Sequence, residues 1–384
     1  MTLPDSTFVI AGAILATMAF ALSTTLCALA RRYAPGLGLL DRPGGHKGHA
    51  APIPLGGGLA LWITILSILS LAFLALPLMP ESLARHASGA RAQSGELILI
   101  LAMASAIMVM GFLDDRYDLN WRIRLAMQLG CALVVVMGGV RVTLFGPFTH
   151  PILGGAVTVA WIVGLTNAFN MLDNMDGLAA GVGLVVSLLF CSAQFAVGAL
   201  FSPAVLLVVA AALLGFLVHN HSPARLYMGD AGSNFLGFLL GSLTVVGTFT
   251  REPYSPYSVI SPLLVMAVPL YDMTSVILIR LHEGRSPFQG DRRHFSHRLV
   301  ARGLTPTQAV WTIILVTLAS GMGALLLHRL DGMGALVVLA QTGCLLGVVA
   351  ILELSAGRSG IGNGETQREP VGARSAAEDG TGSD

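Results

Sequence analysis

The sequence predicts an all-α polytopic integral membrane protein, and three observations carry that expectation. Of 384 residues, 54% are hydrophobic and only 11% charged, whereas soluble domains are about a quarter charged. Mean hydropathy is +0.75. The apolar residues come in blocks near the ~20 residues that a helix needs to cross a bilayer core. No alternating ten-residue pattern recurs, which excludes a transmembrane β-barrel. A net charge of +1 gives no bulk electrostatic case for nucleic acid.

About eleven transmembrane helices are predicted, over residues 8–30, 56–80, 96–113, 122–140, 152–172, 178–199, 203–219, 231–250, 258–281, 308–328 and 333–354. The short pair 178–199 and 203–219 reads equally as one broken hairpin. The first block lacks a basic leader and is longer than a signal-peptide core. Arg31 and Arg32 follow it, so it reads as a retained span. With span ends included, 17 of the 22 Lys and Arg residues fall after odd-numbered spans or in the tail. The positive-inside rule then puts the N-terminus outside and the C-terminus in the cytoplasm. Residues 1–354 read as one transmembrane domain. Residues 355–384, rich in Gly, Ser, Glu and Arg, read as a disordered cytoplasmic tail. Cys27, Cys131, Cys191 and Cys344 lie in apolar stretches without metal or disulfide spacing, and read as small core residues.

The unusual polar residues gather on that cytoplasmic side. In "LDRPGGHKGHAAPIPLGGG", residues 40–58, His46, Lys47 and His49 offer positive charge to an anionic ligand, or form an ordinary basic loop. In "MVMGFLDDRYDLNWRIRLA", residues 108–126, Asp114 and Asp115 are adjacent at a span end. Neighbouring carboxylates there are costly unless a cation or proton offsets them. Arg116 screens them in part, and a divalent metal does so better. Mg²⁺ suits such oxygen donors because it takes one or two carboxylates together with substrate phosphates.

Across spans five and six, "GLTNAFNMLDNMDGLAAG" places Asn167, Asn170 and Asn174 at i, i+3 and i+7, one face of a helix. Inside a membrane, that face must meet polar partners or a water-filled cavity. Asp173 and Asp176 follow at the cytoplasmic end. In "HNHSPARLYMGDAGSNFLGF", Asp230 opens span eight among small residues. Such a helix start is a natural seat for phosphate oxygens, although an acid there also serves as an N-cap. In "RLHEGRSPFQGDRRHFSHRLVARGL", His294 and His297 lie three apart beside Arg285, Arg292 and Arg293. An anion clamp fits that loop better than a zinc site does. Asp272, inside span nine, is either functional or paired with an arginine.

Five aspartates, an asparagine face and an Arg/His loop on one membrane surface suit metal-assisted chemistry on a phosphorylated substrate. Together, "GFLDDRYDL", "NAFNMLDNMDGLAAG", "YMGDAGSNFLGF" and "GRSPFQGDRRHFSHRLVARGL" resemble the polyprenyl-phosphate N-acetylhexosamine-1-phosphate transferases. The resemblance runs in order from about Leu40 to Leu304. It implies transfer of a sugar 1-phosphate, with GlcNAc favoured, from a UDP-sugar to polyprenyl phosphate with release of UMP. That is the first membrane step of cell-envelope polysaccharide synthesis. It also implies Mg²⁺ or Mn²⁺, a bacterial plasma-membrane location and a site facing the cytoplasm; a homodimer is left open.

By the same resemblance, Asp114, Asp115, Asp173, Asp176, His294 and His297 are catalytic. Asp230, Asp114 and Asn170 hold the metal. Asn167, Asn170 and Tyr227 bind substrate, with Tyr227 stacking on uracil, and the positive charge of Lys47, Arg285, Arg292 and Arg293 adds them to the expected substrate-binding set. One departure stands out. The family's His-x-His-His motif reads His294-Phe295-Ser296-His297 here, which leaves the Ser296 hydroxyl as a replacement ligand. The triple histidine of the UDP-MurNAc-pentapeptide translocases is missing, which counts against that branch. A secondary transporter would place its acids near mid-bilayer. A CDP-alcohol phosphotransferase would need a DG-xx-AR signature, and Leu-Ala-Ala-Gly follows Asp176-Gly177.

Overall fold

A computed structural model describes residues 6–41, 52–76, 81–142, 150–247, 249, 254–287 and 293–355. These form a helical bundle. The long helices are α1 (Ser6–Tyr33), α2 (Gly57–Ala75), α3 (Glu81–Tyr117), α4 (Trp121–Met137), α5 (Pro151–Leu172), α6 (Leu178–Ala196) and α7 (Phe201–Asn220). They are followed by α8 (Gly229–Val246), α9 (Ser261–Val265), α10 (Ala267–His282), α11 (Phe295–Val300), α12 (Pro306–Met322) and α13 (Gly332–Ser355). One departure from all-α is a two-stranded antiparallel pair, β1 (Leu40–Asp41) with β2 (Ile53–Pro54).

Every predicted span corresponds to helix, but not every one is built to face lipid. By length and hydropathy, eight helices among the described residues can cross a membrane. A ninth span results if the segment Pro256–Val265 and α10, bent by 56°, count together. The remaining two of the predicted eleven are α4, which has 17 residues, and α8. Helix α8 is buried continuously from Ala231 to Thr244, with α3 and α5 its main neighbours. Wrapped in protein, it tolerates Ser233, Asn234 and Ser242 because it presents no long face to lipid.

The helices alternate in direction. The C-terminal ends of α1, α3, α5, α7, α10 and α13 meet the N-terminal ends of α2, α4, α6, α8 and α12 at one end of the bundle. Cross-links at that end prove the arrangement. Leu55 bridges Tyr227, Arg124 pairs with Asp230, Ser296 bonds Asn174, and Arg302 Nε donates to Leu352 O. Close backbone approach fixes α8 against α3. A Cβ on Gly111 would lie 2.3 Å from the carbonyl oxygen of Asp230, so only glycine lets the two helices touch there. Cys27 and Cys131 are buried as expected, but Cys344 is exposed on α13.

Candidate active site

The paired acids of α3 both reach Asp230, but each has its own main partner. Adjacent residues on a helix point about 100° apart, and each carboxylate meets a different counterpart. Asp114 accepts from Leu119 N at 2.7 Å through Oδ1 and from Arg124 Nη1 at 2.6 Å through Oδ2. The screening arginine is therefore Arg124 on α4. Arg116, expected in that role, donates instead to Leu37 O. Arg124 also reaches Asp230 Oδ2, 3.5 Å away.

Asp115 accepts from Asp230 N at 2.8 Å and from Ala231 N at 3.0 Å. It satisfies two orphan donors of the first turn of α8 and sets negative charge on the positive end of that helix. This corrects the expectation that phosphate oxygens seat on these N–H groups, because a carboxylate from α3 already occupies them. Gly229 makes room for it. Its φ is +70°, and a Cβ would stand 2.6 Å from Asp115 Oδ2.

With its backbone held, the half-buried Asp230 side chain turns to α5. Asn170 Nδ2 donates to Asp230 Oδ1 at 2.8 Å and to Ser233 Oγ at 3.1 Å. One turn deeper, Asn167 Nδ2 donates to Gln128 Oε1 at 2.6 Å, and Gln128 Nε2 donates to Asn234 Oδ1 at 3.1 Å. The asparagine face thus does meet polar partners, but it ends at Asn170. Helix α5 stops at Leu172, and Asn174 lies beyond it, accepting from Ser296 Oγ at 2.5 Å. Buried Ser296 spends its hydroxyl hydrogen on that contact.

Asp173 caps the C-terminus of α5. Burial, with Asp115 and Asp176 nearby, raises its carboxyl from the usual 3.8 to about 7. Asp176 accepts from Ala224 N at 2.9 Å. Tyr227 is half-buried, and its hydroxyl is hydrogen-bonded to Asp176, with burial and that carboxylate pushing its pKa above the usual 10. The α11 side is built on Asp272. Its Oδ2 lies 3.1 Å from His294 Nδ1, and its Oδ1 accepts from Phe295 N at 2.6 Å. The His294 and His297 rings are 6.5 Å apart.

The clamp arginines behave otherwise. Arg285 and Arg293 both pair with Glu283 at the rim, so their charge is partly spent within the loop. Lys47 and Arg292 lie outside the described residues, as do residues 356–384 of the tail, while Ser355 ends α13. Sequence reasoning missed Arg124, Gln128, Asn234 and Ser233, all of them polar residues of predicted helix interiors or ends. The signal was present in Arg124 and Gln128, which follow one another at i and i+4 on α4.

Among the described residues, no three His, Cys, Asp or Glu side chains converge as a ready-made metal shell. The Asn170–Asp230 pair nonetheless brings an amide and a carboxylate together at the mouth of α8. A cation that completes its shell with phosphate oxygens and water needs no more than such a pair.

Residues 97–248 match the family described as Glycosyl transferase family 4. The chain is 31% identical over 305 residues to a probable undecaprenyl-phosphate N-acetylglucosaminyl 1-phosphate transferase of Bacillus subtilis (strain 168), covering 78% of this chain and 80% of that one. The chain belongs to this family. The family match runs from within α3 to the end of α8. A decaprenyl-phosphate N-acetylglucosaminephosphotransferase of Mycobacterium tuberculosis (strain ATCC 25618 / H37Rv) is 34% identical over 312 residues, covering 74% of each chain. An undecaprenyl-phosphate alpha-N-acetylglucosaminyl 1-phosphate transferase of Yersinia pestis is 32% identical over 326 residues, covering 80% of this chain and 81% of that one.

Proposed function

We propose that this glycosyl transferase family 4 protein transfers GlcNAc 1-phosphate from UDP-GlcNAc to a polyprenyl phosphate, releasing UMP. A phosphate oxygen of the lipid attacks the β-phosphorus of the nucleotide sugar, and the bond to the bridging oxygen of UMP breaks. The product is a polyprenyl-diphosphate sugar, the starting unit of a cell-envelope polysaccharide. One observation carries this reading: side chains from four helices, α3, α4, α5 and α8, converge at the N-terminal end of α8, with Asp115, Arg124 and Asn170 all engaging Asp230.

The attacking phosphate monoester is already largely dianionic near pH 7, its second pKa being about 6. It needs positioning and charge neutralisation more than a strong base. Asp115 holds the first turn of α8, which fixes where Asp230 stands. Arg124 neutralises Asp114 and supplies positive charge beside Asp230. Asp173 titrates near neutrality and holds or accepts a proton at the same end of the bundle. Asn170 and Asp230 are the residues to hold Mg²⁺, or Mn²⁺ in its place. A cation held there would supply charge neutralisation for the diphosphate.

The site end faces the cytoplasm of a bacterial cell, in line with the bias of Lys and Arg toward that end. The transporter reading loses ground on Asp272, the deepest acid of span nine. It is spent on capping α11 and holding His294 rather than lining a path.

The test is a panel of UDP-sugars with purified protein, polyprenyl phosphate and Mg²⁺. UMP should appear with UDP-GlcNAc and depend on both the lipid and the metal. No UMP from any donor removes the proposal. Selective turnover of UDP-MurNAc-pentapeptide moves the chain to the translocase branch.

A further inference from the structure

Asp272 is 1% exposed, in the half of the bent span that follows the break at Met266. Both of its oxygens are spent on one short segment, Oδ1 on the Phe295 N–H and Oδ2 on His294 Nδ1. The carboxylate therefore starts α11 and orients the imidazole that precedes it. His294 is itself 7% exposed, and its Nε2 makes no hydrogen bond among the described residues. Ser296, on the first turn of α11, reaches Asn174 between α5 and α6. That contact places the histidine segment against the loop that carries Asp173 and Asp176.

We propose that Asp272 is a positioning residue: it fixes a proton on His294 Nδ1 and thereby favours the protonated ring, whose Nε2–H donates to a phosphate oxygen of the substrate. The identity of that phosphate rests on the function proposed above; the proton's place does not. An ionised carboxylate is an acceptor only, so the nitrogen facing it must carry hydrogen. Neutral imidazole has one N–H, which leaves Nε2 bare; protonated imidazole adds a second at Nε2, aimed away from Asp272. In both states the carboxylate stabilises the arrangement, the role a buried aspartate plays behind a catalytic histidine in acyl-transfer enzymes.

Asparagine at 272 breaks the arrangement without changing its size. It has a single acceptor oxygen for two donors, Phe295 N–H and Nδ1–H. If the backbone keeps that oxygen, the amide NH₂ faces Nδ1, opposes a proton there and so disfavours the protonated ring that donates from Nε2. Removing such an orienting partner costs ~10- to 100-fold in activity.

The test combines a spectrum with a double-mutant cycle. ¹⁵N-histidine spectra of the full chain, with His294 assigned through His294→Gln, should show a protonated Nδ1 throughout the titration of that ring. A bare Nδ1 with a protonated Nε2 in the wild type overturns the proposal, whatever the enzyme's activity. In turnover, Asp272→Asn and His294→Gln should each lose activity, and the double variant should be no slower than His294→Gln alone. Losses that multiply overturn it, because they mean Asp272 acts independently of the ring. If Asp272→Asn does not fold, the wild-type spectrum decides by itself.

Discussion

The Asp115 carboxylate on α3 accepts the backbone N–H of Asp230 on α8, at 2.8 Å, while the adjacent oxygen takes Ala231 N at 3.0 Å. The two acids thus belong to one device in which Asp115 supports and Asp230 presents. Asp115→Asn keeps one acceptor and turns an NH₂ against the other N–H. We expect a loss of about 1–3 kcal/mol, with a lower Tm and lower turnover together. Asp230→Asn keeps an acceptor for Asn170 and the same shape. It should lose turnover with Tm nearly unchanged. Thermal unfolding in detergent beside UMP release separates the two.

Gly229 tests the same contact from the other side. Its φ of +70° disfavours any side chain, and a Cβ would press on the Asp115 carboxylate. Gly229→Ala should therefore lose stability and activity. Gly130, mid-helix in α4 with nothing within 4 Å of its Cβ position, is the matched control. Gly130→Ala should hold or gain up to ~1 kcal/mol, with turnover unchanged.

Much of this was legible in the sequence, and the limits are physical. Apolar length reports helix but not its surroundings, so α8 read as a lipid-spanning helix when it is the enclosed centre of the bundle. Motif spacing located Asp114, Asp115, Asn170, Asp173, Asp230 and His294. It could not show which counter-charge each acid meets, because Arg124 and the N–H groups of α8 are brought in by tertiary packing. Helical periodicity also carried the asparagine face to Asn174, two residues past the end of α5 at Leu172. Asp272 stayed ambiguous because its partners, His294 and Phe295, lie 22 and 23 residues along the chain.

Asp173 gives a pH dependence with a defined sign. Its folded-state pKa, about 7, lies above the ordinary 3.8, so the folded chain binds that proton more tightly than the unfolded chain does. The folded state is destabilised through this group as pH rises from about 4 to about 7. Asp173→Asn should flatten that part of the Tm–pH curve and raise Tm at pH 8. A bound cation beside these acids offsets the same repulsion. Millimolar Mg²⁺ should therefore raise the Tm of the wild type at pH 8, and raise that of Asp230→Asn less.

Arg124 joins Asp114 to Asp230, and Asp114 is 5% exposed. Arg124→Gln strips a buried carboxylate of its main counter-charge. Breaking such a pair by removing one partner costs about 3–5 kcal/mol. Lysine offers one point charge where the guanidinium offers a planar fork, so Arg124→Lys should recover only part of the loss. Chemical unfolding of both variants measures the difference.

The most direct test follows the phosphorus. Purified protein is given UDP-GlcNAc labelled with ³²P at the β-phosphate, together with polyprenyl phosphate and Mg²⁺. Transfer of a sugar 1-phosphate carries the label into the lipid fraction and leaves unlabelled UMP in the aqueous phase. Label that remains in water as UDP while GlcNAc enters the lipid means that the sugar alone moved, and contradicts the account.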